Sequence, residues 1–237
     1  MSTTPTTAML LAAGLGSRMR PLTLTTPKPL IVVGGKPLID WTLDPLIAAG
    51  INRAVVNVHY LPDQLRRHLS ARPEAVVSDE SDALLDTGGG VVKALPHLGK
   101  SPFFVCNCDG ILTNATTAFA RVAAAWNDDH HDVVMLVHPL KTAHGFDGRG
   151  DFFVAADGAL RRRGLAVEAP YIYAGVYLMH PRVLAGETAI PFSMNRVWDK
   201  AIAAGRMSAV IHDGDWFHVG TPEAVAETNT LLAACMS

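Results

Sequence analysis

Residues 11–30, LAAGLGSRMRPLTLTTPKPL, decide how the rest of the chain is read. They overlap a short apolar run, residues 8–12, that reads as a buried strand because it is brief, unbroken and stopped by glycine. Beyond it stand Gly14 and Gly16, then Arg18 and Arg20, then Lys28 between Pro27 and Pro29. Glycines behind a strand let backbone N–H groups approach a ligand, because no Cβ stands in the way. Cations just after them suit phosphate oxygens. Two well-known phosphate loops are excluded. Met19 stands where the third glycine of the dinucleotide fingerprint belongs, and Pro37 follows Gly34-Gly35-Lys36 where the Walker A motif requires a hydroxyl.

The whole chain sets wide bounds around this stretch. At 237 residues it can bury a large α/β core. With 49% hydrophobic and 18% charged residues it is not a disordered chain. A net charge of −2 offers no electrostatic case for nucleic acid or an anionic membrane, so phosphate binding has to be local. No apolar run approaches the ~20 residues that span a bilayer. The opening MSTTPTT has neither the basic nor the apolar region of a signal peptide. Three cysteines, two of them in Cys106-Asn107-Cys108, make neither a disulfide framework nor a zinc site, and the expectation is reduced thiols in the cytoplasm.

The remaining pattern predicts alternating elements. Helices are expected over 37–50, 62–69, 91–98 and 115–126, with strands over 54–58, 75–77, 103–106 and 132–137. This alternation predicts a mostly parallel sheet covered on both faces, with ligands outside the carboxyl ends of its strands. The loop after the first strand, Gly88-Gly89-Gly90 and Asp109 all follow strands and are expected to converge on one rim. The second half is richer in β structure. Strands are expected over 148–154, 160–163, 171–179, 207–211 and 216–219, with Asp157-Gly158 as a hairpin turn. A helix over 193–205 is expected, and a last helix with Thr221 as N-cap and Pro222 at its first position.

The opening stretch resembles the signature of sugar-phosphate nucleotidyltransferases, L-A-A-G-x-G-x-R-x-x-P-x-T-x-x-x-P-K. Every fixed position is filled, from Leu11, Ala12, Ala13 and Gly14 through Gly16, Arg18, Pro21 and Thr23 to Pro27 and Lys28. Leu85-Asp86-Thr87-Gly88-Gly89-Gly90 resembles the L-E-T-G-G-G segment of the small N-acetylmuramate-1-phosphate uridylyltransferases of peptidoglycan recycling. Residues 148–152, GRGDF, and Tyr173-Ala174-Gly175-Val176 are similar to further segments of that group. The resemblance implies a single-domain, Rossmann-like α/β fold with a mixed, mostly parallel sheet and a smaller β-rich sugar-binding part. Residues 1–237 would form the nucleotidyltransferase domain, with 8–140 the nucleotide-binding half and 141–237 the sugar-binding half and C-terminal helix. No hexapeptide repeat points to a β-helix extension.

It also implies the chemistry. A sugar-1-phosphate oxygen attacks the α-phosphorus of a nucleoside triphosphate and pyrophosphate leaves. The leading pair is UTP and N-acetylmuramate 1-phosphate; the alternative is GTP and mannose 1-phosphate or another hexose 1-phosphate. Arg18, Lys28 and Asp109 would be the catalytic residues. Ala12, Ala13, Gly14, Gly16, Arg18, Lys28, Thr87, Gly88, Gly89 and Asn107 would bind the nucleotide, and Gly88 and Gly89 would admit base and ribose against the backbone. Arg149, Gly150, Asp151 and Gly175 would meet the sugar phosphate. Asp109 would ligate Mg²⁺, with Mn²⁺ as the alternative.

His218 departs from the family pattern, standing where W-x-D-x-G-T supplies a second carboxylate. An imidazole there either ligates a softer ion, meets a phosphate, or marks a weak nucleotide-binding regulator. A lactyl ether on the sugar calls for a cationic or donor-rich pocket, for which Lys141, Arg149, Arg161 and Arg162 are candidates. Oligomeric state is not legible in the sequence.

Overall fold

The structure is a computed structural model that describes residues 4–235; Met1 to Thr3, the start of the MSTTPTT segment, lie outside the described residues. β1 (Thr7–Leu11) leads through three 3-10 turns (Ser17–Met19, Leu22–Leu24, Lys28–Leu30) to a small hairpin of β2 (Val32–Val33) and β3 (Lys36–Pro37), then α1 (Leu38–Ala48). There follow β4 (Arg53–Val58), α2 (Pro62–Leu69), β5 (Ala75–Asp79), α3 (Asp86–Leu98), β6 (Phe103–Asn107), β7 (Gly110–Leu112), α4 (Ala115–Ala124) and β8 (Val133–Pro139). The second half holds β9 (Ala143–His144), β10 (Phe152–Val154), β11 (Leu160–Arg162), β12 (Tyr171–Met179), α5 (Asn195–Ala203), β13 (Met207–Ile211), β14 (Trp216–His218) and α6 (Pro222–Cys235).

The nine-stranded sheet has the order β11-β10-β12-β6-β1-β4-β5, with β8 paired to β12 and β13 to β8. β1 runs parallel to β4 and β6, β4 to β5, and β8 to β13; β12 is antiparallel to β6, β8 and β10. Only β12 and β11 therefore run against the rest, and the expected mixed, mostly parallel α/β fold is borne out. One edge of β12 is covered by β8. The other is shared by β6 and β10, and a bulge between Tyr173 and Val176 lies where one gives way to the other. This break in the sheet becomes a cavity.

β1 is apolar on both faces because helices cover both, as parallel strands require. Leu10 packs with Val56, Phe104, Leu43 and Phe119 on the side of α1 and α4. Met9 packs with Val55, Val105, Val91 and Trp198 on the side of α3 and α5. A smaller cluster of Met19, Ile31, Leu38, Phe217 and Leu232 fastens the signature loop to β14 and α6. The last helix starts as expected: the Ala224 N–H donates to Thr221 Oγ1 at 3.2 Å, and Pro222 opens the helix. No helix of the described residues is long and apolar enough to cross a membrane.

Two element boundaries differ from expectation for physical reasons. α3 begins at Asp86, so the three glycines form its first turns instead of a loop before it. They are needed there because the helix lies against the segment before α5: the Gly88 N–H donates to the Phe192 carbonyl at 2.8 Å, and a Cβ on Gly89 would overlap the Ile190 carbonyl. Within 148–154 only Phe152–Val154 is strand. Gly150 sits at φ 73°, with the Ala169 carbonyl where a Cβ would be, which breaks extended geometry just before the strand.

A pair of histidines sits in the core beneath β14. His138 and His212 are 1% and 2% exposed, with ring centroids 5.6 Å apart. His138 Nε2 meets Thr142 Oγ1 and His212 Nε2 meets the Asp215 carbonyl, while both Nδ1 atoms lack a partner among the described residues. Burial lowers both pKa values, for His138 against the pull of Thr142 and for His212 against that of Asp215. The unfolded chain therefore binds protons first as pH falls, and stability drops below the unfolded histidine pKa of about 6.5. The expected result is a denaturant midpoint that is flat above about pH 7 and falls toward pH 5. Replacing both histidines by glutamine should flatten that limb.

Candidate active site

β1 ends at Leu11, and the chain then turns over the carboxyl edge of the sheet. Two side chains hold this turn. The Ala12 N–H donates to Asn57 Oδ1 at 2.6 Å, and Asn57 Nδ2 donates to Glu80 Oε1 at 2.7 Å. Glu80 is fully buried; desolvation raises its pKa while Asn57 and the Leu85 N–H oppose the rise. Further on, Gly16 adopts φ 61°, and its carbonyl accepts from Thr23 Oγ1 at 2.8 Å. A Cβ on Gly16 would lie 2.9 Å from Thr23 Cγ2, so the glycine and the threonine of the signature require each other. A Cβ on Gly14 would meet nothing within 4 Å.

The loop walls a cavity of about 380 Å³. Of the expected residues, Ala12, Ala13, Gly14, Gly16, Arg18, Lys28, Thr87, Asn107 and Asp109 line it. Lys28, in the turn after Pro27, places Nζ 3.0 Å from Asp109 Oδ2; the side chains are 15% and 29% exposed. Burial pushes the Asp109 carboxyl up, but Lys28 foremost, with Arg18 and, at acid pH where it is protonated, His218, outweighs it and holds the group below its usual range, ionised. His218 reaches the same cluster from β14. The ladder sets His218 opposite Gly110, and the Val219 N–H donates to the Asp109 carbonyl at 2.9 Å. Gly220 leaves the room: a Cβ there would lie 2.7 Å from His218 Nε2 and 3.6 Å from Arg18 Nη1. Burial lowers the His218 pKa, and Lys28 and Arg18 add to this against the pull of Asp109, so the imidazole is neutral at pH 7.

A second cavity of about 280 Å³ adjoins the first; Leu11, Asp86, Thr87 and Asn107 line both. It occupies the break between β6 and β10. Asp151 lines it, and its Oδ2 accepts from the Tyr173 N–H at 3.0 Å. Tyr173, Tyr177, Trp198, Arg162 and Asn195 supply most of the remaining wall.

Several expected residues are elsewhere. Gly88 and Gly89 are buried inside α3, where a Cβ on Gly88 would overlap the Phe192 ring; they line neither cavity and pack the helix against the segment before α5. Arg149 is exposed and lines neither cavity, its backbone carbonyl being held by the Ala169 N–H. Gly150 is the buried left-handed turn before β10, and Gly175 occupies the β12 bulge at φ 86°, with Asn107 Cβ 3.5 Å from where its own would be. Asn57, Glu80 and Asp86 line the first cavity and were not among the expected residues. Their signal was present: Asn57 and Glu80 are polar residues at or just past the carboxyl ends of β4 and β5, and Asp86 opens the helix that follows, at the edge where such sheets bind ligands.

Fixed cations beside an ionised carboxylate, on the wall of one of two adjoining cavities, suit the joining of two anionic substrates. Residues 8–189 match the MobA-like NTP transferase domain, and the chain belongs to that family of nucleotidyltransferases. It is 44% identical to the N-acetylmuramate alpha-1-phosphate uridylyltransferase of Caulobacter vibrioides over 98% of this chain and 99% of that protein. A mannose-1-phosphate guanyltransferase of Aspergillus oryzae is 34% identical over 91% of this chain, which spans 61% of that longer protein. Among solved structures, the inositol-1-phosphate CTP transferase from T. maritima superposes with a TM-score of 0.79 over 97% of each chain; at 18% identity this shows the fold alone. The resemblance drawn from residues 11–28 is borne out.

Proposed function

We propose that this nucleotidyltransferase joins UTP to N-acetylmuramate 1-phosphate, forming UDP-N-acetylmuramate and pyrophosphate. The observation that carries the reaction type is the Lys28–Asp109 pair, 3.0 Å apart, on the wall of the loop cavity beside the second. An acceptor phosphate monoester has a second pKa of about 6 and is already a nucleophile at pH 7, so no general base is needed. One of its oxygens bonds to the α-phosphorus, and the bond from that phosphorus to the pyrophosphate oxygen breaks. The difficulty is bringing two polyanions together, which positioning and cations solve. Lys28 and Arg18 would neutralise the phosphates, and the Ala12–Gly16 backbone would approach the triphosphate. Residues 8–140 would bind mainly the nucleotide and residues 141–237 mainly the sugar.

The donor set fits a hard divalent ion. Asp109 is held ionised, and one carboxylate suffices for Mg²⁺, which takes the rest of its shell from phosphate oxygens and water. Such an ion would neutralise phosphate charge. Among the described residues no group of three or more His, Cys, Asp and Glu is placed to hold a metal, and Asp109 with the nearby His218 imidazole are the groups on hand. A nitrogen donor there favours Mn²⁺ more than a second carboxylate would. Two buried free thiols, Cys106 and Cys108, suit a cytoplasmic setting.

The near-full-length likeness to the Caulobacter vibrioides uridylyltransferase supports this substrate pair over guanylyl transfer to mannose 1-phosphate. The test is pyrophosphate release with Mg²⁺ and then Mn²⁺, comparing UTP plus N-acetylmuramate 1-phosphate with GTP plus mannose 1-phosphate. A strong preference for the first pair is expected. Preference for the second would replace the substrates, and nucleotide binding with no release under either ion would make the chain a regulator.

A further inference from the structure

The second cavity holds one guanidinium, and its setting is specific. Arg162 closes β11, paired with Phe152 of β10, and lines the cavity together with Trp198 and Tyr173. Its Nε donates to Asp199 Oδ1 at 2.8 Å and its Nη2 to Asn195 Oδ1 at 2.9 Å, which ties the fork to α5. Its plane lies over Phe152 and Trp198, 4.9 and 5.6 Å from the ring centroids. Nη1 has no hydrogen-bond partner among the described residues. Arg162 is thus held by three sides and open on one.

The other basic residues of this half do not share that position. Arg161 projects from the opposite face of the strand and stacks on Phe153 at 4.1 Å. Arg163 donates to the Gly150 and Ala166 carbonyls. Lys141 and Arg149 are exposed and line neither cavity. The wall around Arg162 is also rich in unused polarity: Tyr173 Oη, Tyr177 Oη and Trp198 Nε1 are buried without a partner among the described residues. Buried polar groups are seldom left unpaired without a reason. A neutral hexose would leave the open side of the guanidinium unmatched, whereas a carboxylate answers it directly.

We infer that Arg162 is the specificity-determining residue that selects an acceptor bearing a carboxylate on its sugar ring. The inference rests on the acceptor proposed above, whose lactyl ether supplies that carboxylate. The acceptor's phosphate is the other anion that could meet Arg162, and a lactyl-free acceptor separates the two.

The experiment compares N-acetylmuramate 1-phosphate with N-acetylglucosamine 1-phosphate, which keeps the ring, acetamide and phosphate and lacks only the lactyl group. Arg162→Met should lower the ratio of kcat/KM for the two acceptors by about 10- to 100-fold, the worth of a charge-assisted hydrogen bond. The loss should appear as a raised KM for the lactyl acceptor, with the KM for UTP changed less than about twofold. Arg162→Lys should recover only part of the ratio, because an ammonium lacks the planar fork. Asp199→Ala removes the Nε tie to α5 but leaves the guanidinium, still held by Asn195, at the cavity, and it should keep the ratio. If Arg162→Met impairs both acceptors equally, the residue holds the phosphate or the fold and the inference fails alone. If the wild type turns over neither acceptor, or takes both alike, the substrate reading above fails and takes this inference with it.

Discussion

Replacing Lys28 with methionine is expected to lower kcat by about 100- to 1000-fold, the range seen when a group that stabilises transition-state charge is removed. Methionine keeps the apolar stem and the volume, so the loss isolates the ammonium. Two consequences should follow together. The charge facing the triphosphate disappears, and the Asp109 carboxylate, held below its usual pKa against burial chiefly by Lys28, loses its 3.0 Å partner. Asp109→Asn should cost a similar factor. The double variant should be little worse than either single one, because residues that act as a unit are not additive. Steady-state pyrophosphate release measures all three. A Lys28→Met enzyme within about threefold of wild type would remove the pair from catalysis.

The largest expected effect on stability comes from Gly89→Ala. On helix propensity alone the change should stabilise α3 by about 1 kcal/mol. The structure predicts the opposite sign. A Cβ at this position overlaps the Ile190 carbonyl oxygen, a backbone atom with no rotamer to escape through, and the flanking segment is tied down by the Gly88 N–H to Phe192 carbonyl bond and by the Met194 N–H to Thr87 Oγ1 bond. Overpacking against a backbone atom belongs to the upper part of the usual range of about 1–3 kcal/mol, and after the propensity gain of about 1 kcal/mol is set against it the net should be a destabilisation of about 1–2 kcal/mol. For a chain of this size that lowers Tm by roughly 2–8 °C. Gly14→Ala, where the added Cβ would meet nothing within 4 Å, is the matched control and should leave Tm in place. A Gly89→Ala protein as stable as wild type would mean that α3 can lift off the segment before α5.

Much of the fold was legible because the deciding residues act locally. The apolar run before Gly14, Pro62 at the start of α2 and the Thr221–Pro222 cap each specify their element from a few neighbouring side chains. The cavity wall around the signature loop was legible for a related reason: in a parallel sheet the residues after successive strands share one edge, so Lys28 and Asp109 meet although 81 positions separate them. What the sequence could not show depends on packing between distant segments. Three glycines before a helix look like a hinge, and only the position of Ile190 and Phe192 makes them a contact surface. Arg149 and Arg162 are equally basic in sequence. One is set in solvent by the turn at Gly150, and the other is turned inward by strand alternation and held by Asp199 and Asn195. His218 was legible as a departure from the family pattern, while its neutral state follows from burial beside Lys28 and Arg18.

The most direct test of the central claim is a ³¹P NMR time course of the purified protein with UTP, N-acetylmuramate 1-phosphate and Mg²⁺. The expected result is loss of the UTP and sugar phosphate resonances, with pyrophosphate and the two coupled resonances of a sugar-linked diphosphate growing in equal amounts. Conversion of UTP to UDP or UMP without a sugar nucleotide, or a spectrum that does not change, would contradict it.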